Sequence, residues 1–167
     1  GSLQCKPKNP DCLACPLQIG CEARLKNRID ELPVKIKSQK IRERYFQYIV
    51  AKKDDQILVN KRGSGDIWEN MVDLPLFETD SPIDVRELIQ SESFIKAFGN
   101  PVQIRSTSNP VKHILSHQKL HTKFIEIEDF TENFVKEKSW FYVNREELEK
   151  LPQPKLIFQF LENFFKL

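Results

Sequence analysis

The 167-residue chain contains no apolar run approaching the roughly 18 to 20 residues that cross a bilayer as a helix, which excludes a helical membrane span. Its first residues, Gly1 to Pro10, lack the apolar core of a secretory signal, so a cytoplasmic protein is expected. Neither an internal repeat nor a low-complexity stretch is present, which argues against a solenoid. No excess of one charge sign exists overall, the net charge being +2. The 146 residues after Cys21 hold no cysteine, so every thiol must serve one local site.

What is present is unevenly placed. Residues 1 to 44 carry ten Lys/Arg against five Asp/Glu, whereas the rest carries sixteen against nineteen. A basic quarter joined to a near-neutral globule suits either an end that meets a polyanion or a solvated linker. With 40% hydrophobic and 30% charged residues, the chain can bury one ordinary core with a small appendage.

Cys5, Cys12, Cys15 and Cys21 fall in one 17-residue window with the spacing C-x6-C-x2-C-x5-C. Clustered thiols in a chain without an export signal more often bind metal than pair as disulfides, and thiolates hold both iron and zinc. The spacing favours an iron–sulfur cluster, with zinc as the alternative.

Beyond the cysteines, Ile19 to Arg28 reads as a short helix and the Lys-rich stretch from Asp30 to Lys40 as a linker. Arg44 to Ala51 and Gln56 to Lys61 are rich in β-branched and aromatic residues around a turn-like Lys52-Lys53-Asp54-Asp55, which predicts a hairpin. Pro75 argues against a central strand in its neighbourhood. A helix is expected over 83–91, with Ser81 as N-cap and Pro82 at its first position, followed by a short segment, Phe94 to Phe98, ending at Gly99. Strands are expected at 102–108, from 113–115 on to 120–127, and at 140–143, and helices at 145–151 and 155–166. Leu156, Phe160, Leu161 and Phe164 recur at helical spacing and should face the core. Strands with a few helices in no regular alternation indicate an α+β fold, an α/β sandwich around a mixed sheet.

The cysteine spacing resembles the iron–sulfur loop of the endonuclease III and MutY glycosylases, and two further segments resemble MutY proteins. Asp66-Ile67-Trp68-Glu69-Asn70-Met71-Val72-Asp73-Leu74-Pro75-Leu76 is similar to the family's I-W-x-x-L-W-E-F-P stretch, and Lys112-His113-Ile114-Leu115-Ser116-His117-Gln118-Lys119-Leu120 to its H-x-F-S-H loop. The resemblance implies the C-terminal portion of an A/G-specific adenine DNA glycosylase, active in base excision repair. Its parts would be an iron–sulfur loop closing the catalytic domain at 1–28, a linker at 29–42 and a Nudix-like 8-oxoguanine-recognition domain at 43–167. The implied cofactor is a 4Fe-4S cluster on Cys5, Cys12, Cys15 and Cys21, with Lys6 and Lys8 meeting the DNA backbone. The implied partners are double-stranded DNA containing 8-oxoguanine:adenine and an N-terminal catalytic domain. In the family the catalytic Glu and Asp precede the first cluster cysteine, so no catalytic residue is expected in this chain. The resemblance places the helices that shield the cluster outside this chain, which leaves three states open for the site: the cluster, another metal, or none.

In the family the H-x-F-S-H loop contacts 8-oxoguanine, which assigns lesion recognition to Leu115, Ser116 and His117. Oxidation turns guanine N7 from an acceptor into a donor and adds a C8 carbonyl, and a serine hydroxyl both accepts and donates. His117 would add a polar contact that depends on its protonation. Leu115 stands where many relatives carry Phe; a leucine can wedge beside a base but cannot stack on it. An ordinary polar turn is the alternative for Ser116 and His117. Trp68 is expected in the core, and His113 and His121 in structural roles. Lys35, Lys37, Lys40, Arg42 and Arg44 form a basic run that would join the domains, track DNA or simply be solvated.

Nudix hydrolases carry G-x5-E-x7-R-E-U-x-E-E-x-G-U, whose glutamates hold the divalent ions that activate water. Aligned on Arg86-Glu87, the chain places Glu78 correctly, but Val72 replaces the glycine and Gln90 and Ser91 replace the paired glutamates. Recognition is therefore favoured over hydrolysis. A Nudix-type nucleotide phosphohydrolase and a zinc-binding interaction module are the alternatives.

Overall fold

The computed structural model describes residues 3–6, 8–32, 34, 41–133 and 139–165. It separates into two compact units, Gly1–Lys40 and Ile41–Leu167. Lys35, Lys37 and Lys40 of the basic run lie outside the described residues.

The first unit is a loop carrying one helical turn, α1 (Glu22–Leu25), which buries no residue. The helix is thus shorter than the expected span of Ile19 to Arg28. Cys21 is extended at its N-terminus, and Asn27, at φ 52°, turns the chain left-handed just past its end. Four residues that bury nothing gain little from packing, and among the described residues the turn is held by its backbone bonds and by Lys26 paired with Glu22.

The second unit is built on one long strand, β1 (Arg42–Lys53), in which every residue from Phe46 to Ala51 is buried. Continuous burial along a strand means that both sheet faces are covered. Next in the chain come β2 (Gln56–Lys61), β3 (Val72–Asp73) and β4 (Leu76–Thr79). The helices α2 (Val85–Ile89) and α3 (Glu92–Phe98) follow, then β5 (Gln103–Thr107), β6 (Val111–Ile114), β7 (Gln118–Glu128) and β8 (Trp140–Val143). The chain closes with α4 (Arg145–Glu149) and α5 (Lys155–Phe164). The sheet runs β3-β2-β1-β7-β5, with β4 added to β1, β6 to β7 and β8 to β2. It is mixed: β1 lies parallel to β7 from Arg42 opposite Gln118 to Ala51 opposite Ile127, and its other pairings are antiparallel. The expected mixed sheet flanked by helices is present.

Period-two alternation sends β1 side chains into two cores. Phe46, Tyr48 and Val50 join Leu120, Phe124 and the apolar stripe of α5, whose Leu156 and Leu161 are buried while Phe160 and Phe164 pack at the edge. Ile49 and Ala51 join Phe77, Leu88, Phe94, Phe98, Ile125 and Ile127 beneath α2 and α3. Pro75 interrupts the extended segment between β3 and β4, and its carbonyl accepts from Ile49 N at 2.8 Å.

The helix expected from Ile83 to Ser91 is shorter and begins later. Asp84, not Ser81, is the cap, accepting from Arg86 N at 2.8 Å. Ser91 does not continue that helix either; it caps α3, its hydroxyl accepting from Phe94 N at 3.4 Å. Serine's preference for capping over a helix interior explains the break.

Candidate functional site

The turn between β6 and β7 is an exposed place at which predicted site residues meet. β6 and β7 pair from Val111 opposite Thr122 to Ile114 opposite Lys119, and Leu115 N donates to Gln118 O at 2.8 Å, leaving Ser116 and His117 at the tip. Both are exposed, and among the described residues neither side chain has a protein partner. Leu115 packs partly buried against the first core, whereas Ile114 beside it is 71% exposed. The apolar side chain offered to the outside at this turn is therefore Ile114, and Leu115 anchors the turn from beneath.

Two further contacts hold the turn. Arg42 N, at the start of β1, donates to His117 O at 3.1 Å. Gln118, the last residue of the turn, accepts from Arg44 Nη1 at 3.0 Å. Arg44 is only 5% exposed and is the centre of a charge network. Its Nε and Nη2 donate to Glu78 at 2.6 Å each, and Nη1 and Nη2 donate to Asp66 at 2.6 and 2.8 Å. Arg62, 8% exposed, reaches Asp66 at 2.7 Å and Asp73 at 2.8 Å, and Asp73 also accepts from Tyr48 and Asn60. The hydrogen bond from Arg44 is the main cause holding the Asp66 carboxyl down at about 2. Burial raises that of Asp73 against the pull of Arg62.

This network corrects the reading of Arg44 as part of a basic run open to DNA. Period-two alternation places it on the face of Phe46 and Tyr48, where its charge is neutralised internally. The same alternation, followed back from Phe46, was the available sequence signal. The network also takes Glu78, the one upstream carboxylate that matched the Nudix pattern, into a structural ion pair. Arg86 and Glu87 lie exposed on α2, and the chain after Ile89 leaves the helix at Gln90.

Trp68 is half-buried on the first core, as expected, with its ring 6.0 Å from that of His113. It adopts φ 61° and Asn70 φ 62°, so this loop turns left-handed twice within three residues, a conformation costly for side-chain-bearing residues. His121 bonds Glu43 at 3.1 Å and stacks on Tyr45.

In the first unit Cys5, Cys12, Cys15 and Cys21 line one small cavity together with Pro10 and Asp11, and all four thiols are free. Gln4 Nε2 donates to Asp11 O at 2.7 Å, tying the Cys5 segment to that of Cys12, and Arg24 Nη1 donates to Gln18 Oε1 at 2.6 Å, tying the Cys15 loop to α1. A single zinc ion needs sulfurs about 2.3 Å from one point, whereas an iron–sulfur cubane spreads its thiolates over separate irons. Among the described residues no three His, Cys, Asp or Glu side chains converge on such a point. The four thiols share one cavity, a donor set that suits either group. Lys6 and Lys8 are exposed on the same loop.

A mixed sheet with helices on both faces, and a broken helix where a metal-binding one would follow β4, is a Nudix-type architecture without the acidic helix of that family's hydrolases. The chain belongs to the NUDIX domain family, whose model matches residues 47–163. Its sequence is similar to the adenine DNA glycosylase of Buchnera aphidicola subsp. Schizaphis graminum, 29% identical over 92% of this chain and 44% of that protein. The adenine DNA glycosylase of Buchnera aphidicola subsp. Acyrthosiphon pisum is 24% identical over 99% of this chain and 46% of its own length. The chain thus spans less than half of these relatives. In fold it is similar to the Escherichia coli ORF135 protein, with TM-score 0.55 at 14% identity, covering 80% of this chain and 94% of that one. The C-terminal domain of mouse MUTYH, solved in complex with human PCNA, gives TM-score 0.54 at 12% identity over 75% of this chain and 89% of that one. Among the described residues no helix is long and apolar enough to cross a membrane.

Proposed function

We propose that this chain acts in base excision repair as the lesion-recognising portion of an adenine DNA glycosylase that removes adenine mispaired with 8-oxoguanine or guanine. Bond cleavage then belongs to catalytic residues elsewhere in the whole protein. The observation that carries this reading is the Ser116–His117 turn: a free hydroxyl and a free imidazole at the tip of a hairpin held by Arg42, Arg44 and the first core. Ser116 is read as the group that meets the oxidised purine edge, His117 as an added polar contact, and Leu115 as their support. The similarity to adenine DNA glycosylases supplies the class of reaction. The partners proposed are a duplex containing 8-oxoguanine:adenine and the catalytic domain. Leu13, Leu17, Ile19 and Leu25, all more than 70% exposed on the first unit, suit a surface that another domain covers.

A 4Fe-4S cluster is proposed on Cys5, Cys12, Cys15 and Cys21. When bound, it supplies rigid cross-linking of the loop, and the loop's own Lys6 and Lys8 then face phosphate as fixed charges.

The test is a titration of the chain with a duplex containing 8-oxoguanine:adenine and with an undamaged one. The damaged duplex is expected to bind more tightly, and Ser116→Ala to reduce that preference about fivefold to tenfold, the worth of roughly 1 kcal/mol for one hydrogen bond. A Ser116→Ala variant that discriminates as well as the original contradicts the assignment. Magnesium-dependent release of phosphate from 8-oxo-dGTP would instead favour hydrolysis.

A further inference from the structure

The two sides of the β6–β7 hairpin differ in cover. Their register puts Val111 and His113 opposite Thr122 and Leu120, on the side of the first core, and Lys112 and Ile114 opposite His121 and Lys119 on the other side. On that other side β1 continues the surface, with Glu43 beside Lys119, Tyr45 beside His121 and Gln47 beside Lys123. The core under α2 and α3 reaches only its far half. Gln47 is 3% exposed, and beyond it Ile49, Ala51, Ile125 and Ile127 are buried in the second core. Toward the hairpin the cover fails: Tyr45, Lys119, His121 and Lys123 are half-buried, and Glu43, Lys112 and Ile114 are exposed. An open stretch of sheet face thus runs directly into the Ser116–His117 tip.

That stretch is basic. Its charged strand residues are Lys112, Lys119 and Lys123 against one carboxylate, Glu43. Glu43 is engaged twice, accepting from Lys119 at 3.0 Å and bonding His121 at 3.1 Å. Lys123 makes a long bond of 3.4 Å to Ile83 O, and Lys112 has no protein partner among the described residues. Two lysines therefore keep most of their charge for a group outside the chain, with no unpaired carboxylate among the strand residues of the face to repel an anion. From Ile114 and Lys119 to Lys123 the face runs about 13 Å, the axial length of about four nucleotides of one DNA strand. An acidic protein segment would use the lysines alone. A duplex engages the lysines through phosphate, Ile114 through sugar carbons and the tip through bases.

We propose that this open face, and not the tip alone, seats the DNA backbone: Lys112 and Lys123 contact phosphates, Ile114 packs on deoxyribose, and the duplex lies on the α2 side of the hairpin. The proposal rests on the reading of the Ser116–His117 turn as a contact to DNA.

The test is fluorescence anisotropy of two labelled duplexes, one with 8-oxoguanine opposite adenine and one undamaged, titrated with the full chain over a series of salt concentrations. Lys112→Ala and Lys123→Ala are each expected to weaken both duplexes alike, by about threefold to tenfold at low salt, and to reduce the slope of log affinity against log salt by about 1. Ile114→Ser removes an uncharged contact, so it is expected to weaken both about fivefold with the slope unchanged. Val111→Ser, on the opposite side of β6, and Lys155→Ala, at the start of α5 on the first-core side, are expected to change neither quantity. The proposal is overturned if either Lys112→Ala or Ile114→Ser binds as the original does, or if Lys155→Ala lowers the slope as much as Lys112→Ala. Ser116→Ala tests the tip separately, through the preference between the duplexes. Face variants without effect beside an active Ser116→Ala sink the face and leave the tip standing, and the converse result leaves the face and removes the tip. A chain that binds neither duplex overturns both.

Discussion

Replacing Arg44 by alanine is expected to lower the free energy of unfolding by about 3 kcal/mol, the low end of the range for breaking a buried ion pair. The arginine is 5% exposed and closes two bidentate pairs, so its removal leaves Asp66 with Arg62 alone and Glu78 with only the exposed Arg42 at 3.9 Å. Their own side chains are 39% and 33% exposed, so water relieves part of the penalty, which sets the estimate at the low end. Packing of the guanidinium over the Phe46 ring at 4.7 Å is lost as well. Urea unfolding measures the effect, and a loss below about 1 kcal/mol would mean that the network is no stronger than a surface pair. A triple variant, Arg44→Met with Asp66→Asn and Glu78→Gln, is expected to recover most of the stability, since it removes the charges together. The Arg44–Asp66 pair sets an acid limit. Because the Asp66 carboxyl titrates at about 2 in the folded chain and at 3.8 ordinarily, its contribution is full above pH 3.8 and is lost as pH falls toward 2. The buried Asp73, raised rather than lowered, titrates with the opposite sign, so Asp66→Asn against the original chain isolates the first effect. Arg44 also bonds Gln118, so it is a positioning residue for the turn. The triple variant, restored in stability, should still lose part of the preference for damaged DNA.

Phe124→Ala is expected to cost about 3 to 5 kcal/mol, the usual range for emptying a large aromatic site in a core. Phe124 is 2% exposed on β7, with Tyr48 stacked at 5.5 Å on one side and Phe160 of α5 stacked at 3.7 Å on the other. It joins the longest parallel pairing of the sheet to the C-terminal helix, so the cavity opens where two layers meet. Phe124→Leu, which keeps most of the volume, should cost less than about 1.5 kcal/mol. Equal losses in the two variants, read from unfolding midpoints, would show that the aromatic stack rather than the filled volume holds this seam.

The elements that alternation and helical spacing describe well are those whose neighbours along the chain decide their conformation. β1 and β2 carry their aromatic and β-branched residues at the centre, between Tyr45 and Val50 and between Ile57 and Val59, and Leu156, Phe160, Leu161 and Phe164 mark one face of α5, so their pattern alone points inward. The cysteine window and the Ser116–His117 turn are contiguous and equally legible. What contiguity does not reveal is pairing across distance. Arg44 looks like one more charge of a basic run until Asp66 and Glu78, 22 and 34 residues away, are brought to it. Gln47 looks like an ordinary polar residue in a strand until both faces of the sheet are covered. Helix ends were misplaced for a local reason: Asp84 and Ser91 each cap a helix, so α2 begins two residues later than expected and Ser91 opens α3 instead of ending α2. Leu115 packs on the core instead of facing outward, and Ile114 takes the exposed position, because the register of β6 on β7, not the order of residues in the turn, decides which side chain points to the core.

Residues 41–167 are proposed to read a damaged duplex through the tip of one hairpin. Backbone amide signals of the labelled chain, followed while a duplex containing 8-oxoguanine opposite adenine is added, test it most directly. The largest changes are expected on Ile114 to Gln118, shrinking when guanine replaces the oxidised base. Changes concentrated on α2 and the loop before it, with the hairpin tip silent, would contradict it.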